Sequence, residues 1–431
     1  MNNDIKLIGR ALCGLLAVLS PAAVQAQTGL TPEMCRSMAV SHNAKMVNAK
    51  NAVAEAEQTK KEAFTNYFPI VSATGMGFNA DKGMAKMQLQ PDMAMEMCKN
   101  GLMGGVTAVQ PLFAGGQIVN GNQLAKVGVE VKRLQQNLSD NEVTLTTEQY
   151  FWRVVTLQEK LKTLGKVETQ LERILRDVEA SVEAGVVTRN DLLQVQLRRN
   201  ETKSSRLQLE NALSISRNML AQYTGLGSDS LAVAFSVDDQ LPSRPDSLYC
   251  DPESALGLTS EYALLQQNVK ASRLQYKMEL GKNLPTVAIG GGYVYHNFLP
   301  EDQRFWVGFA TVTVPLTGWW GGSHALKKEK LQVKNTENQL ADQGELLVIR
   351  MKNAWNGVNE AYEQMKIARL SIEQATENLR LNTDYYKSGT CTMSDLLDAQ
   401  TLFQQSCDKY VESYTDYELK KREYLQVTGR R

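Results

Sequence analysis

"SVEAGVVTRNDLLQVQ" occupies Ser181–Gln196, and "YYKSGTCTMSDLLDAQ" occupies Tyr385–Gln400. Glycine, threonine, aspartate, a leucine pair and glutamine recur in one order: Gly185/Gly389, Thr188/Thr392, Asp191/Asp395, Leu192/Leu396, Leu193/Leu397 and Gln196/Gln400, each pair 204 positions apart. Glycine is the residue for which a left-handed backbone after a helix costs least. Polar residues suited to N-capping follow within five positions: Thr188 and Asn190 in one copy, Thr392 and Ser394 in the other. Apolar spacing restarts at the leucine pairs. Each phrase therefore predicts the tip of a helical hairpin.

The flanks agree. No proline stands between Pro111 and Pro242, or anywhere after Pro315, so two long windows lack a helix breaker. Leu157, Leu161, Leu164, Leu171, Ile174, Val178 and Val182 step by threes and fours with one position skipped, as do Leu347, Met351, Trp355, Val358, Tyr362 and Met365. Such stripes mark long amphipathic helices. Gln117 to Ala184 is 68 residues, or roughly 100 Å of helix. A rod of that length must pack against other rods.

The match extends beyond the tips. "QYTG" at Gln222–Gly225 answers "QVTG" at Gln426–Gly429, and "QPLF" with Pro111 answers "VPLT" with Pro315, all at the same offset. "YFPIVSATGMGF" from Tyr67 resembles "NLPTVAIGGGYV" from Asn283, but Pro69 and Pro285 are 216 apart. The chain is thus a duplicated long unit, with a dozen extra residues in the first copy between these prolines. Four segments around the prolines are rich in Gly, Val, Thr and aromatics: from Pro69, from Gly101, from Pro285 and from Arg304. Their length suits membrane β-strands, and also soluble hairpins. Four strands cannot close a barrel, so strands that enter a membrane require an oligomer. Three copies would supply twelve. Trp319 and Trp320, where the last strand meets the second rod, suit an interfacial anchor.

The N-terminus reads as an export signal over 1–26: Lys6 and Arg10, an apolar run Ala11–Leu19, then a small-residue cleavage site ending at Ala26. Leu12 before Cys13 is too large for lipoprotein processing. Five cysteines follow the signal: Cys35, Cys98, Cys250, Cys391 and Cys407, an odd number at wide spacing and no disulfide framework. Lysine plus arginine equal aspartate plus glutamate at 47 each, so no basic field points to nucleic acid. His42, His296 and His324 stand in unrelated segments, no phosphate-binding glycine loop appears, and nothing implies an enzyme or a cofactor. A loop at 81–100 holds Met84, Met87, Met93, Met95 and Met97 beside Cys98. Its sulfurs suit soft metal ions, and methionine is equally a flexible apolar filler.

In the order and spacing of these features the chain resembles the TolC-like outer-membrane efflux family, over essentially its whole mature length. The resemblance rests on the signal peptide, the duplicated half, "QPLFAGGQ" at a strand end, and "AGVVTRNDLLQVQ" and "SGTCTMSDLLDAQ" at the tips. It implies an α+β fold: long antiparallel α-helices in a trimeric α-barrel tunnel, with two β-hairpins per chain completing a 12-strand outer-membrane β-barrel. The first repeat then covers 27–225 (hairpin 69–113, tip 185–191), an equatorial linker 226–258, and the second repeat 259–431 (hairpin 285–317, tip 389–395).

The implied function is a passive exit duct of a tripartite efflux or type I secretion system. Its partners are outer-membrane lipid, a periplasmic adaptor (membrane fusion protein) and an inner-membrane pump of RND or ABC type. Asp395 and Asp398 match the family's acidic constriction, and Asp191 the first tip's aspartate. Where family members commonly carry an arginine latch this chain has Cys391, with Arg189 in the other tip as a replacement. Gly185, Thr188, Leu192, Leu193, Gly389, Thr392, Leu396 and Leu397 would form the adaptor-docking rim. Asp191 and Asp395 suit helix capping as well as gating, and the glycines suit turn geometry alone. A periplasmic or surface-attached coiled-coil structural protein is the alternative on the residues alone.

Overall fold

A computed structural model describes residues 29–430, apart from 84, 91–92, 98, 228–232, 234, 236, 238–240, 299–301 and 317. The export signal, Met84 and Cys98 lie outside the described residues. Two rods dominate: α3 (Gln117–Glu183, 67 residues) and α7 (Gly318–Lys387, 70 residues). Each returns through a tip into a helix of about half its length, α4 (Arg189–Thr224) and α8 (Met393–Val427). The other half is supplied by α2 (Ala44–Thr65) packed on α3, and by α6 (Ser260–Lys282) packed on α7.

The stripes face inward as their period requires. Leu164, Leu171 and Val178 are buried on α3, and Leu347, Met351, Val358, Tyr362 and Met365 on α7. Through α3 the first half meets α6 and α8 of the second. The largest core lies partway along the rods, where Phe151, Trp152, Tyr410, Tyr414, Tyr417 and Tyr424 meet residues from the segment between the halves. That segment contributes a 3-10 turn (Pro245–Leu248) and α5 (Pro252–Leu256). The first helix, α1 (Pro32–His42), packs on α3 and α4. Glu148 of α3 ties the elements together: its Oε1 accepts from Arg36 of α1 and, at 2.8 Å, from Arg422 of α8.

The four strands form one antiparallel sheet in the order β1–β4–β5–β6: β1 (Ile70–Asn79), β4 (Asn100–Ala114), β5 (Thr286–His296) and β6 (Gln303–Thr313). The 81–100 segment is not a plain loop. It contains a separate two-stranded ribbon, β2 (Ala85–Gln90) and β3 (Met93–Met97), because polar residues alternate with Met and Leu along it. With Asn43 and Thr259 capping α2 and α6 at the 216 offset, and Gly185 and Gly389 at the 204 offset, the ribbon accounts for the dozen extra residues. Where β4 hands over to α3, Gly115 passes against Gly281 of α6. A Cβ on Gly115 would lie 2.1 Å from the Gly281 carbonyl oxygen, so the crossing admits no side chain. Among the described residues no helix is long and apolar enough to cross a membrane.

Candidate gate at the helical tips

Both tips are built alike. Gly185 and Gly389 each adopt φ +73° in open space, so it is backbone freedom rather than crowding that requires glycine. Their N–H groups donate back to Val182 O and Tyr386 O at 3.0 Å, closing the ends of α3 and α7. The returning helices start at Thr188 and Thr392, each in a reciprocal capping box with the aspartate three residues on. Asn190 and Ser394, the other cap candidates, fall inside the helices. Hydrogen bonds from the Thr392 hydroxyl and N–H hold the Asp395 carboxyl below its ordinary range. Asp191 and Asp395 therefore cap their helices.

Asp398 is different. It is exposed one turn further along α8, and among the described residues it has no hydrogen-bond or ion-pair partner. Arg189 is likewise exposed and has no carboxylate partner among the described residues. Cys391 is half-buried and donates through Sγ to Asn382 O at 3.4 Å. Burial, reinforced by Asp395, pushes its thiol up, so it is no ready nucleophile.

Beneath the turns one apolar core joins the tips: Leu175 and Val178 of α3, Val195 of α4, Met393 and Leu396 of α8. Leu192 and Leu397 pack on its margin. Leu396 is 1% exposed and so lies under the rim, whereas Leu193 is 48% exposed and Val186 77%. The repeated leucine pair thus splits into inward and outward members.

Sequence reasoning overlooked two groups nearby. The Tyr386 hydroxyl is buried without a hydrogen-bond partner among the described residues, and burial, with Asp191 and Cys391 nearby, raises its pKa. Asp408, further along α8, has a buried Oδ1 with no hydrogen-bond partner among the described residues. Its pKa is pushed up to about 6 by burial and by Glu412, against the opposing effects of Lys160 and Gln404. Asp408 was detectable as an acid amid the tyrosine-rich stretch of α8; Tyr386 carried no signal. Of the anchor pair, Trp320 is exposed in the first turn of α7, while the Trp319 side chain is outside the described residues. His42, His296 and His324 do not come together, and among the described residues no cluster of His, Cys, Asp and Glu could hold a metal.

A sequence model of the family described as "Outer membrane efflux protein" matches residues 35–226 and 254–423. No curated protein matches the sequence. Among solved structures, VceC from Vibrio cholerae superposes with a TM-score of 0.77 at 13% identity, over 92% of this chain and 96% of that one. The CmeC outer membrane channel of Campylobacter jejuni gives 0.77 at 13%, over 100% and 94%. The open-state MtrE outer membrane channel of Neisseria gonorrhoeae gives 0.72 at 14%, over 93% and 89%. At these identities the superpositions establish a shared fold.

Proposed function

The chain belongs to the outer membrane efflux protein family, and on that premise we propose that it works as a homotrimer whose sheets close one 12-strand barrel. Membership makes it an outer-membrane efflux channel of a Gram-negative envelope, with its helical part in the periplasm, acting with an adaptor and an inner-membrane pump.

One observation carries the trimer. β1 and β6 are the outer strands of the sheet, so each has a backbone edge without a strand partner among the described residues. In lipid such groups cost several kcal/mol apiece, and closure onto a neighbour's edge removes the cost. One face of the sheet suits lipid: the exposed Val71, Leu102, Val106, Tyr293, Trp306 and Val312 share it by register. On the rods, Leu193, Leu197 and Leu207 of α4, and Leu346, Ile349, Ile367 and Leu370 of α7, are exposed at coiled-coil spacing. These stripes are seams for neighbouring chains, and Trp319 and Trp320 anchor the junction at the membrane surface.

The six tips of a trimer then surround one periplasmic mouth. Asp395 and Asp398 ring it, Arg189 supplies the tip cation, and Cys391 makes alternate tips chemically distinct. An adaptor docks on the rim at Gly185, Thr188, Leu192, Leu193, Gly389, Thr392 and Leu397, with Leu396 supporting from below. Cargo is small molecules or polypeptides, delivered by an RND or ABC pump.

The test is a panel of single cysteines along β1 combined with single cysteines along β6, oxidised in native membranes. Covalent trimers that dissociate on reduction are expected. Cross-linking confined to single chains would sink the closed barrel.

A further inference from the structure

Seven of the chain's 16 methionines fall between Met76 and Met103, and the second hairpin, Thr286–Thr313, has none. Two of the seven meet in the sheet. Met76 of β1 pairs with Met103 of β4, which pairs with His296 of β5. Direct partners in antiparallel strands share a face, with Cβ atoms about 5 Å apart. The three residues form one row with Met103 in the middle, on the face opposite Val106, Tyr293 and Trp306.

The two thioethers are not core filler, because both methionine side chains are exposed. His296, in contrast, is 7% exposed, and its Nδ1 is buried with no hydrogen-bond partner among the described residues. An unsatisfied buried ring nitrogen is costly unless something else occupies its lone pair or its proton. The imidazole is stacked on Phe298 at 4.3 Å and faces the edge of Phe305, so its plane is fixed. Asn297 pins the register there. Its N–H donates to Leu102 O at 3.1 Å, and its Oδ1 accepts from Leu102 N at 2.6 Å, beside Met103. Gly101 leaves room for Phe298, whose Cβ would lie 2.4 Å from any Cβ placed there. The row is therefore held by aromatic packing around His296 and by the Asn297 clamp on Leu102 beside Met103.

We propose that Met76, Met103 and His296 bind one soft monovalent cation of the Cu(I) or Ag(I) class. Thioether sulfur and imidazole nitrogen are soft and intermediate donors that favour such ions over Mg²⁺, Ca²⁺ or Mn²⁺, which seek oxygen. The row contains no carboxylate; its next member on β6 is Gln303. Each ligand donates a lone pair, with no change of oxidation state. Ribbon β2–β3 lies in the connection between β1 and β4 and continues the bias, with Met87 registered against Met95 and Met97 two positions along. The site lies within one chain, so its failure would be separate from failure of the trimer.

The test uses the full-length protein in detergent, with accessible thiols blocked by N-ethylmaleimide, titrated calorimetrically with Ag(I). Wild type is expected to bind one Ag(I) per chain at the row. Met103→Leu and His296→Gln should each weaken that binding at least tenfold, and Met76→Leu should weaken it measurably. Methionine-to-leucine exchange conserves volume, and unchanged circular dichroism and unheated gel mobility confirm that each variant folds. Cu(I) X-ray absorption should report mixed sulfur and nitrogen donors. Equal Ag(I) affinity in wild type and all three variants would overturn the proposal. So would binding lost only in a Met87→Leu/Met95→Leu variant, or tighter binding of Zn²⁺ than of Ag(I).

Discussion

Thr392 and Asp395 exchange hydrogen bonds in both directions: the carboxylate accepts from Thr392 N at 2.9 Å and Oγ1 at 2.6 Å, and Asp395 N donates back to that Oγ1 at 3.2 Å. Charge and cap reside in one side chain, and substitution can separate them. Asp395→Asn retains an acceptor for the cap and should leave amide exchange at the start of α8 little changed, while lowering cation selectivity in bilayer conductance. Asp395→Ala should speed exchange there as well. Because the carboxyl's folded pKa is depressed, its stabilising effect is present above the unfolded value and fades as pH falls through the folded one. Asp398→Asn, which touches no cap, should change selectivity alone.

Leu193 and Leu396 make opposite predictions from similar sequence positions. Leu396→Ala opens a cavity in the shared tip core and should cost about 2–5 kcal/mol locally, read as faster proteolysis of the tips. Leu193→Glu stays exposed, so its effect on stability should be within about 0.5 kcal/mol. It should nonetheless abolish efflux in a complementation assay while trimers persist. Normal efflux by Leu193→Glu would remove this residue from the docking surface.

Glu148 is 5% exposed on its side chain and answers two arginines from different elements. Glu148→Ala leaves Arg36 and Arg422 without their shared carboxylate and should cost about 3–5 kcal/mol, seen as a lower denaturation midpoint in detergent. Glu148→Gln, which keeps an acceptor, should cost less.

Asp408 should make stability depend on pH with the opposite sign to Asp395. Its folded pKa of about 6 lies above the unfolded value, so the folded state holds the proton more tightly. The penalty of charging it is complete above pH 6 and is relieved as pH falls through 6. Asp408→Asn should therefore raise the melting midpoint at pH 7.5, and the difference should shrink as pH falls below 6 and vanish only below the unfolded value of 3.8.

The rods, the tips and the four long strands were legible because each rests on local chemistry: absent prolines, glycines in the left-handed region, threonines three residues before aspartates, stripes of the right period. Choosing Thr188 over Asn190 also needed only spacing, since the reciprocal box demands an acid at the third position. What escaped were facts about neighbours. Leu396 and Leu193 differ in burial because of which helix lies opposite, and Arg36, Glu148 and Arg422 meet only through tertiary packing. His296 gave no hint of Met103, since their adjacency depends on a strand pairing between the two halves. The ribbon's alternating Lys86, Gln88 and Gln90 were short enough to pass as loop.

Among the described residues, ribbon β2–β3 is the part of the strand region without a counterpart in the second half. Each of the four long strands has a twin in the other half, β1 with β5 and β4 with β6, with which a change must stay compatible. The ribbon carries no such obligation. It is an appendage outside the chain's internal symmetry, and so the place where this channel can diverge from its relatives at its outer end without disturbing the architecture that holds it up.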